Sequence, residues 1–182
     1  MSLIVKSQIR KILRKSIRNV PIALVAITSL GVTPISAQAR IIEAVADIDG
    51  LTCPFCSFGA EKQLKKVDGV RQVKVDVDQG TATLTAKSDQ SLDVEKIPKA
   101  IKAAGFSPQE MRIVALGKVI SKGQELRLQL QGQSDSIALD MSQNAAIAAQ
   151  LKSALEQQAL LEVSGVWNQQ DKALIPSAIK NL

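Results

Sequence analysis

The chain has 182 residues, of which 46% are hydrophobic, enough for one large or two small globular domains. Its formal net charge of +6 is typical of a nucleic-acid or membrane binder, but the excess comes from six cations in residues 1–39. Removing them from the 23 Lys and Arg leaves 17 basic and 17 acidic side chains in residues 40–182. With no His or Tyr and few aromatics, this region lacks the basic–aromatic interleaving of a nucleic-acid surface. We therefore expect no nucleic-acid partner.

Residues 1–39 have the pattern of a secretory signal peptide. A cationic stretch is followed by an apolar core at residues 22–32, and Ala37 and Ala39 supply the small residues for cleavage before Arg40. The apolar core is too short to span a bilayer comfortably. We predict cleavage near Ala39 and location in the periplasm or outside the cell. An uncleaved N-terminus that anchors the chain to a membrane is the alternative.

Residues 40–116 alternate between strand and helix periodicity. Pro98 interrupts the second helix, which either begins near this residue or has an irregular first turn. The order βαββαβ predicts a ferredoxin-like α+β sandwich with two helices on one face of an antiparallel sheet. The predicted elements are strand 41–48, helix 55–67, strand 73–77, strand 82–86, helix 91–104 and strand 111–115.

The two cysteines of the chain, Cys53 and Cys56, lie between the first strand and the first helix. This spacing puts one thiol on the loop and the other in the first helical turn, where unpaired N–H groups and the helix dipole favour thiolate. Two thiolates suit a soft ion, Cu(I) or Hg(II), whereas structural zinc wants four ligands and the chain has no third Cys and no His. Asp47 and Asp49 would add oxygen ligands for Zn(II) or Cd(II), unless they are only solvated loop residues.

Residues 50–56, Gly-Leu-Thr-Cys-Pro-Phe-Cys, resemble the Gly-Met-Thr-Cys-x-x-Cys motif of the heavy-metal-associated domain family. That family includes copper chaperones, the N-terminal modules of metal-pumping ATPases and periplasmic mercury-binding proteins. The likeness covers about residues 40–116 and extends to Val-Asp-Gly-Val at 67–70 and Ala-Gly-Phe at 104–106.

The resemblance implies that Cys53 and Cys56 are the metal ligands and that Phe106 packs near them. Leu51 stands where the family usually has Met, and it would still plug the base of the loop without a thioether. Pro54 is unusual between the cysteines, so the choice of metal stays open.

Two other interpretations of the cysteine pair compete with metal binding. A structural disulfide gains little, because the stabilisation from a crosslink grows with the length of the loop it closes, and this spacer has two residues. Cys-Pro-Phe-Cys is also similar to the active-site tetrapeptide of glutaredoxins, with Cys53 as the nucleophile. Against a thiol–disulfide oxidoreductase, an antiparallel hairpin follows the first helix, where a thioredoxin-like fold needs a parallel βαβ start. We therefore expect a metal-binding protein that is not an enzyme, with the oxidoreductase as the alternative.

Residues 117–182 carry no comparably specific motif. The order of three strands, a helix and two strands predicts a small OB-like barrel, with a loose β-rich extension as the alternative. We place the boundary between the two domains, 40–116 and 117–182, at Leu116 and Gly117. The predicted strands are 117–121, 126–131, 137–141, 161–167 and 173–179, and the helix spans 144–158 with Ser142 as its cap.

The expected function is to scavenge or ferry a soft cation. The expected partners are a metal-transporting membrane protein or another thiol metal carrier, and two copies of the chain could also share one ion. Lys62, Lys65 and Lys66 form a basic helix face that either docks an acidic partner or is only the solvated side. Trp167, the single tryptophan, is predicted to anchor the core or the interface between the domains.

Overall fold

The structure is a computed structural model that describes residues 40–130 and 136–182. The predicted signal peptide and its cleavage site lie outside the described residues. The two described ranges fall in one compact unit. Within the described ranges, none of the helices combines the length and the apolar character that crossing a membrane requires.

Eleven helices and strands make up the described part of the chain. The first six are β1 (Ile41–Asp49), α1 (Pro54–Leu64), β2 (Val70–Asp76), β3 (Thr81–Ala86), α2 (Ile97–Ala103) and β4 (Ser107–Lys122). The other five are β5 (Glu125–Gln129), β6 (Ser136–Leu139), α3 (Ala145–Gln157), β7 (Leu160–Asn168) and β8 (Ala173–Asn181).

The first four strands form the predicted antiparallel sheet, in the order β2-β3-β1-β4. Helices α1 and α2 contact each other and cover one face of this sheet. The buried side chains of β1 alternate as predicted at Ala44, Ala46 and Ile48, but Ile41 replaces Ile42 as the first inward residue. The reason is a register shift against β4 between Ile41 and Glu43. The ferredoxin-like arrangement is thus confirmed, with a bulge near the start of β1.

Proline sets the start of both helices in this region. Helix α2 begins at Ile97 with Pro98 in its first turn. Of the two possibilities predicted from the sequence, a helix that begins near Pro98 is therefore the correct one. Proline is tolerated there because the first N–H groups of a helix have no partner within it. Helix α1 begins at Pro54 and ends at Leu64, three residues before the predicted end.

Strand β4 corrects the predicted division into a strand at 111–115 and another at 117–121. It is one strand of 16 residues that runs through Leu116 and Gly117, where the domain boundary was expected. Gly117, where the second domain was predicted to begin, instead serves packing. A Cβ at this position would lie 2.7 Å from Cγ of Leu128, too close for a side chain to fit without a shift. The two regions therefore share a continuous strand.

The second half of β4 opens a ring of paired strands. β4 pairs with β5, β5 with β6, β6 with β8, β8 with β7, and β7 returns to β4. All these pairings are antiparallel except that of β6 with β8. Helix α3 lies between β6 and β7 in the chain, and its cap is Asn144, whose side chain accepts a hydrogen bond from the N–H of Ile147. Ser142 is therefore not the cap, contrary to the prediction.

The C-terminal region joins residues 40–116 in a different way from the one expected, which is apolar packing against the free face of the antiparallel sheet. We expect the C-terminal region to cover the sheet face opposite the helices, but Arg112 and Asp47 form an exposed ion pair across β4 and β1. The two regions are instead joined by backbone pairing of β7 with residues 112–118 of β4 and by an ion pair between Lys172 and Glu95. Buried side chains from Ile41 to Leu174, Trp167 included, belong to one hydrophobic cluster.

Candidate metal centre

The loop between β1 and α1 is shaped by Gly50 and Leu51. Gly50 has a φ of +84°, a left-handed conformation that glycine adopts readily. The carbonyl of Gly50 then accepts a hydrogen bond from the N–H of Thr52 at 3.0 Å. Leu51 is 2% exposed and packs in the core, so it plugs the base of the loop as predicted. These contacts present the following residues, Cys53 to Cys56, at the surface.

Cys53 and Cys56 occupy different positions at the start of α1. Cys53 is the cap residue, with extended backbone angles, and it is half-buried. Its carbonyl accepts hydrogen bonds from the N–H groups of Cys56 and Ser57, at 3.0 and 3.1 Å. Cys56 lies in the first turn, is exposed, and like Cys53 is not in a disulfide. Ser57 Oγ donates to the carbonyl of Pro54 at 2.6 Å and tightens this turn.

The environment separates the two thiols in acidity. The pKa of Cys53 lies below its ordinary value, first because the side chain of Cys56 donates a hydrogen bond to it and then because of the N–H groups of Cys56 and Phe55. The pKa of Cys56 is raised, first because its proton is held in that bond and then by desolvation and the charge on Cys53. No acidic residue lies in the first turn of α1 to offset the positive end of the helix. Cys53 is therefore the first thiolate to form.

Among the described residues, any further ligands for a metal ion would come from side chains grouped around the pair. Among residues 40–130 and 136–182, no three His, Cys, Asp or Glu side chains are grouped so that they could hold one ion. Asp47 is engaged by Nη2 of Arg112 at 2.9 Å. The predicted addition of oxygen ligands from Asp47 and Asp49 therefore finds no support. The described donor set is two sulfur atoms, which suits soft cations that tolerate low coordination.

Three phenylalanines lie in or beside the loop that holds the two cysteines, and the exposure of two of them was not predicted. Phe106 is half-buried, and a Cβ on Gly50 would lie 3.8 Å from its ring, so it packs beside the loop as the family resemblance implies. Phe55 and Phe58 are 92% and 71% exposed. A sequence pattern does not reveal this, because a phenylalanine in a helix usually signals a buried position.

The comparison with protein families agrees with this fold. Residues 45–107 match the model of the heavy-metal-associated domain, which confirms the resemblance predicted from the motif. A relative in Arabidopsis thaliana, heavy metal-associated isoprenylated plant protein 34, is 44% identical over 52 residues. That match covers 29% of this chain but 9% of the plant protein, so the chain spans less than a tenth of that relative's length.

Solved structures match a little over a third of the chain. A copper binding domain from HMA7, a P-type ATPase, is 28% identical and covers 38% of this chain and 92% of its own, with a TM-score of 0.34. Oxidised MerP from Ralstonia metallidurans CH34 is also 28% identical, covering 37% of this chain and 92% of its own, with a TM-score of 0.33.

Proposed function

We propose that this protein binds one soft metal ion between Cys53 and Cys56 and transfers it to another thiol-bearing protein. The observation that carries the proposal is the placement of two free thiols on the cap and first turn of α1, inside the segment that matches the heavy-metal-associated domain. Cu(I) and Hg(II) are the proposed cargo, and Zn(II) is a weaker candidate because only two sulfur ligands are available.

The proposed mechanism is stepwise ligand exchange. Cys53 gives up its proton to solvent first, because its thiolate accepts the hydrogen bond from Cys56, and it attacks the incoming ion. Cys56 then loses its proton and closes the chelate. A partner's thiolates reverse the order, and the oxidation state of the ion does not change. Because both ligands bind deprotonated, the affinity for metal falls as the pH falls.

The proposed partners are a metal-transporting membrane protein or another thiol carrier of metal. A dimer in which two copies share one ion is a further form that the exposed position of Cys56 permits. We also propose that the chain is exported and cleaved near Ala39. N-terminal sequencing of the exported protein tests this: a start at or within a few residues of Arg40 is expected, and recovery of an intact N-terminus from the periplasm would contradict it.

The C-terminal strands are proposed to form an OB-type barrel with a structural or docking role. The support is the ring of pairings from β4 through β5, β6, β8 and β7, with α3 following the third strand of the ring. The alternative enzyme function, thiol–disulfide exchange at Cys53, is not favoured. A thioredoxin-like fold needs a parallel strand after the first helix, whereas the hairpin of β2 and β3 is antiparallel and β3 runs antiparallel to β1.

A binding competition tests the proposed function. The reduced protein is offered Cu(I), Hg(II) and Zn(II) together, and the complexes are identified by native mass spectrometry. We expect one soft ion per monomer or per pair of monomers, and no such complex with Cys53→Ser or Cys56→Ser. Thr52→Ser, on the same loop but without a thiol change, is the matched control. Rapid turnover of mixed disulfides by the wild type, lost in Cys53→Ser, would instead support the oxidoreductase.

A further inference from the structure

The outer face of α1 carries two unshielded aromatic rings followed by lysines. At 3.6 residues per turn, Phe55, Phe58, Lys62 and Lys65 lie within an arc of about 80°. Ala60 and Leu64 lie on the opposite side of the helix and are buried. The outermost face of a surface helix is normally polar along its whole length, so the two phenylalanines are the anomaly on this one.

Other residues of the described chain leave these two rings largely uncovered. Phe55 is 92% exposed and Phe58 is 71% exposed, whereas the third phenylalanine, Phe106, packs against the core. Burying a phenylalanine is strongly favourable, and adjacent exposed aromatic rings mark a surface that something covers. Gly59, which follows Phe58, adds no side chain to this face, and a Cβ there would meet nothing within 4 Å.

The charge around these rings is concentrated on the helix layer. Residues 54–66 and 96–104, which contain α1 and α2, hold six lysines and one acid, Glu61. Glu61 is already paired with Lys65 at 2.5 Å, and Lys96 is paired with Asp68 and Asp93 just outside these segments. The positive excess is therefore carried by the exposed Lys62, Lys66, Lys99 and Lys102. Residues 40–182 as a whole have no net charge, so the balanced total conceals a positive layer that would face an anionic surface.

The type of cation distinguishes a lipid surface from a protein partner. Every cation in those two segments is a lysine and none is an arginine. Protein interfaces are enriched in Arg and depleted in Lys, whereas lysine acts as a point charge towards anionic headgroups, each one strengthening binding about fivefold. Protruding phenylalanines next to lysines can enter the headgroup boundary without a preformed pocket.

We propose that the layer of α1 and α2 docks on an anionic lipid surface, with Phe55 and Phe58 inserted among the headgroups and the lysines above them. Because Cys56 lies between the two rings in the chain, docking brings the cysteine loop to the membrane. The docking needs no bound metal, so it stands or fails separately from the proposed metal function.

Co-sedimentation with vesicles tests this docking on metal-free residues 40–182, which lie in one compact unit with its own core. The vesicles are phosphatidylglycerol mixed with phosphatidylcholine, or phosphatidylcholine alone, at low salt. We expect binding to the anionic vesicles only. Phe58→Ser should weaken it about tenfold, and Lys62→Gln combined with Lys66→Gln should weaken it by tenfold or more.

Two matched controls come from the other end of the chain. Leu182→Ser removes a 60% exposed apolar side chain, and Lys152→Gln with Lys180→Gln removes two exposed lysines. Both should bind like the wild type. The proposal is overturned if anionic vesicles are not bound, if neutral vesicles bind equally well, or if the Phe58 and lysine variants bind unchanged. A protein with an acidic surface would then be the remaining occupant of this face.

Discussion

The backbone N–H of Cys56 donates a hydrogen bond to the carbonyl oxygen of Cys53 at 3.0 Å. This bond closes the first turn of α1, so the backbone itself fixes the two thiol-bearing residues relative to each other. The backbone thus places both cysteines on one short arc. A chelate arranged in advance loses less conformational freedom when an ion binds.

The order in which the thiols react with an alkylating reagent follows from their acidity. The pKa of Cys53 is lowered and that of Cys56 is raised, so iodoacetamide should label Cys53 at a lower pH than Cys56 in the reduced, metal-free protein. Cys56→Ala removes the donated hydrogen bond and should move labelling of Cys53 to higher pH. Peptide mass spectrometry reads both sites. If accessibility governed the order, the more exposed Cys56 would react first, and that result would contradict the assignment.

The ion pairs of Lys96 should stabilise the protein only while its carboxylate partners are charged. Lys96 Nζ lies 2.5 Å from Asp68 and 2.9 Å from Asp93, and the pKa of Asp68 is lowered mainly by its hydrogen bond to Lys96. A lowered carboxyl pKa contributes stability above its unfolded value of about 3.9, and this contribution is lost as the pH falls through the folded value. Lys96→Gln should therefore be less stable than wild type at pH 7.

Urea unfolding at pH 7 and below pH 3 measures this difference. The gap between wild type and Lys96→Gln should be small, because the groups are exposed, and should shrink in acid and in high salt. Lys99→Gln, which removes a lysine one turn later in α2, is the control. A gap that grows in acid would show that the ion pair is not its cause.

Gly165 should be intolerant of any side chain. It sits at a register shift between β7 and β8, and a Cβ there would lie 2.0 Å from the carbonyl oxygen of Ile175. Because a backbone atom cannot yield as a flexible side chain can, Gly165→Ala should destabilise the protein by about 1–3 kcal/mol or more. Gly59→Ala is the comparison: it lies in α1 with open space around it and should stabilise by roughly 0.5–1 kcal/mol. Equal effects in thermal unfolding would refute this account of Gly165.

Strand β4 should protect the expected domain boundary from proteases. Lys118, next to Gly117, pairs with Gln129 of β5 and with Leu160 of β7, so the chain is hydrogen-bonded on both sides. Limited trypsin digestion should therefore spare Lys118 under conditions that cut at Lys122, the exposed last residue of β4 beside the turn at Gly123. Early release of two folded fragments divided near Gly117 would mean that the regions are independent domains.

Local patterns predicted most of the fold of residues 40–116. Period-two apolar residues located the strands, and the glycine and proline positions located the turns. The errors arose where a residue served tertiary packing: Gly117 resembled a chain break but makes room for Leu128, and β4 was divided at that point. Ser142 and Asn144 both suit a helix cap, and only backbone geometry selects Asn144.

The sequence predicted where the two cysteines lie and that Leu51 and Phe106 pack beside their loop, but it did not predict the rest of the surroundings. The spacing of Cys53 and Cys56 before a helix indicates the chelate by itself, because the strand–loop–helix order fixes where each thiol lies. The exposure of Phe55 and Phe58 depends on which helix face meets the sheet, and the pairing of Asp47 with Arg112 joins residues far apart in sequence. Neither relationship leaves a local signal.

The coordination of the bound ion tests the central claim most directly. X-ray absorption spectroscopy on the reduced protein loaded with one equivalent of Cu(I) reports the number and kind of atoms bound to the metal. We expect sulfur neighbours only, two from each monomer, and no stable complex when both cysteines are changed to serine. A stoichiometric ion bound by oxygen or nitrogen atoms alone, or bound equally well by the variant without cysteines, would contradict the account.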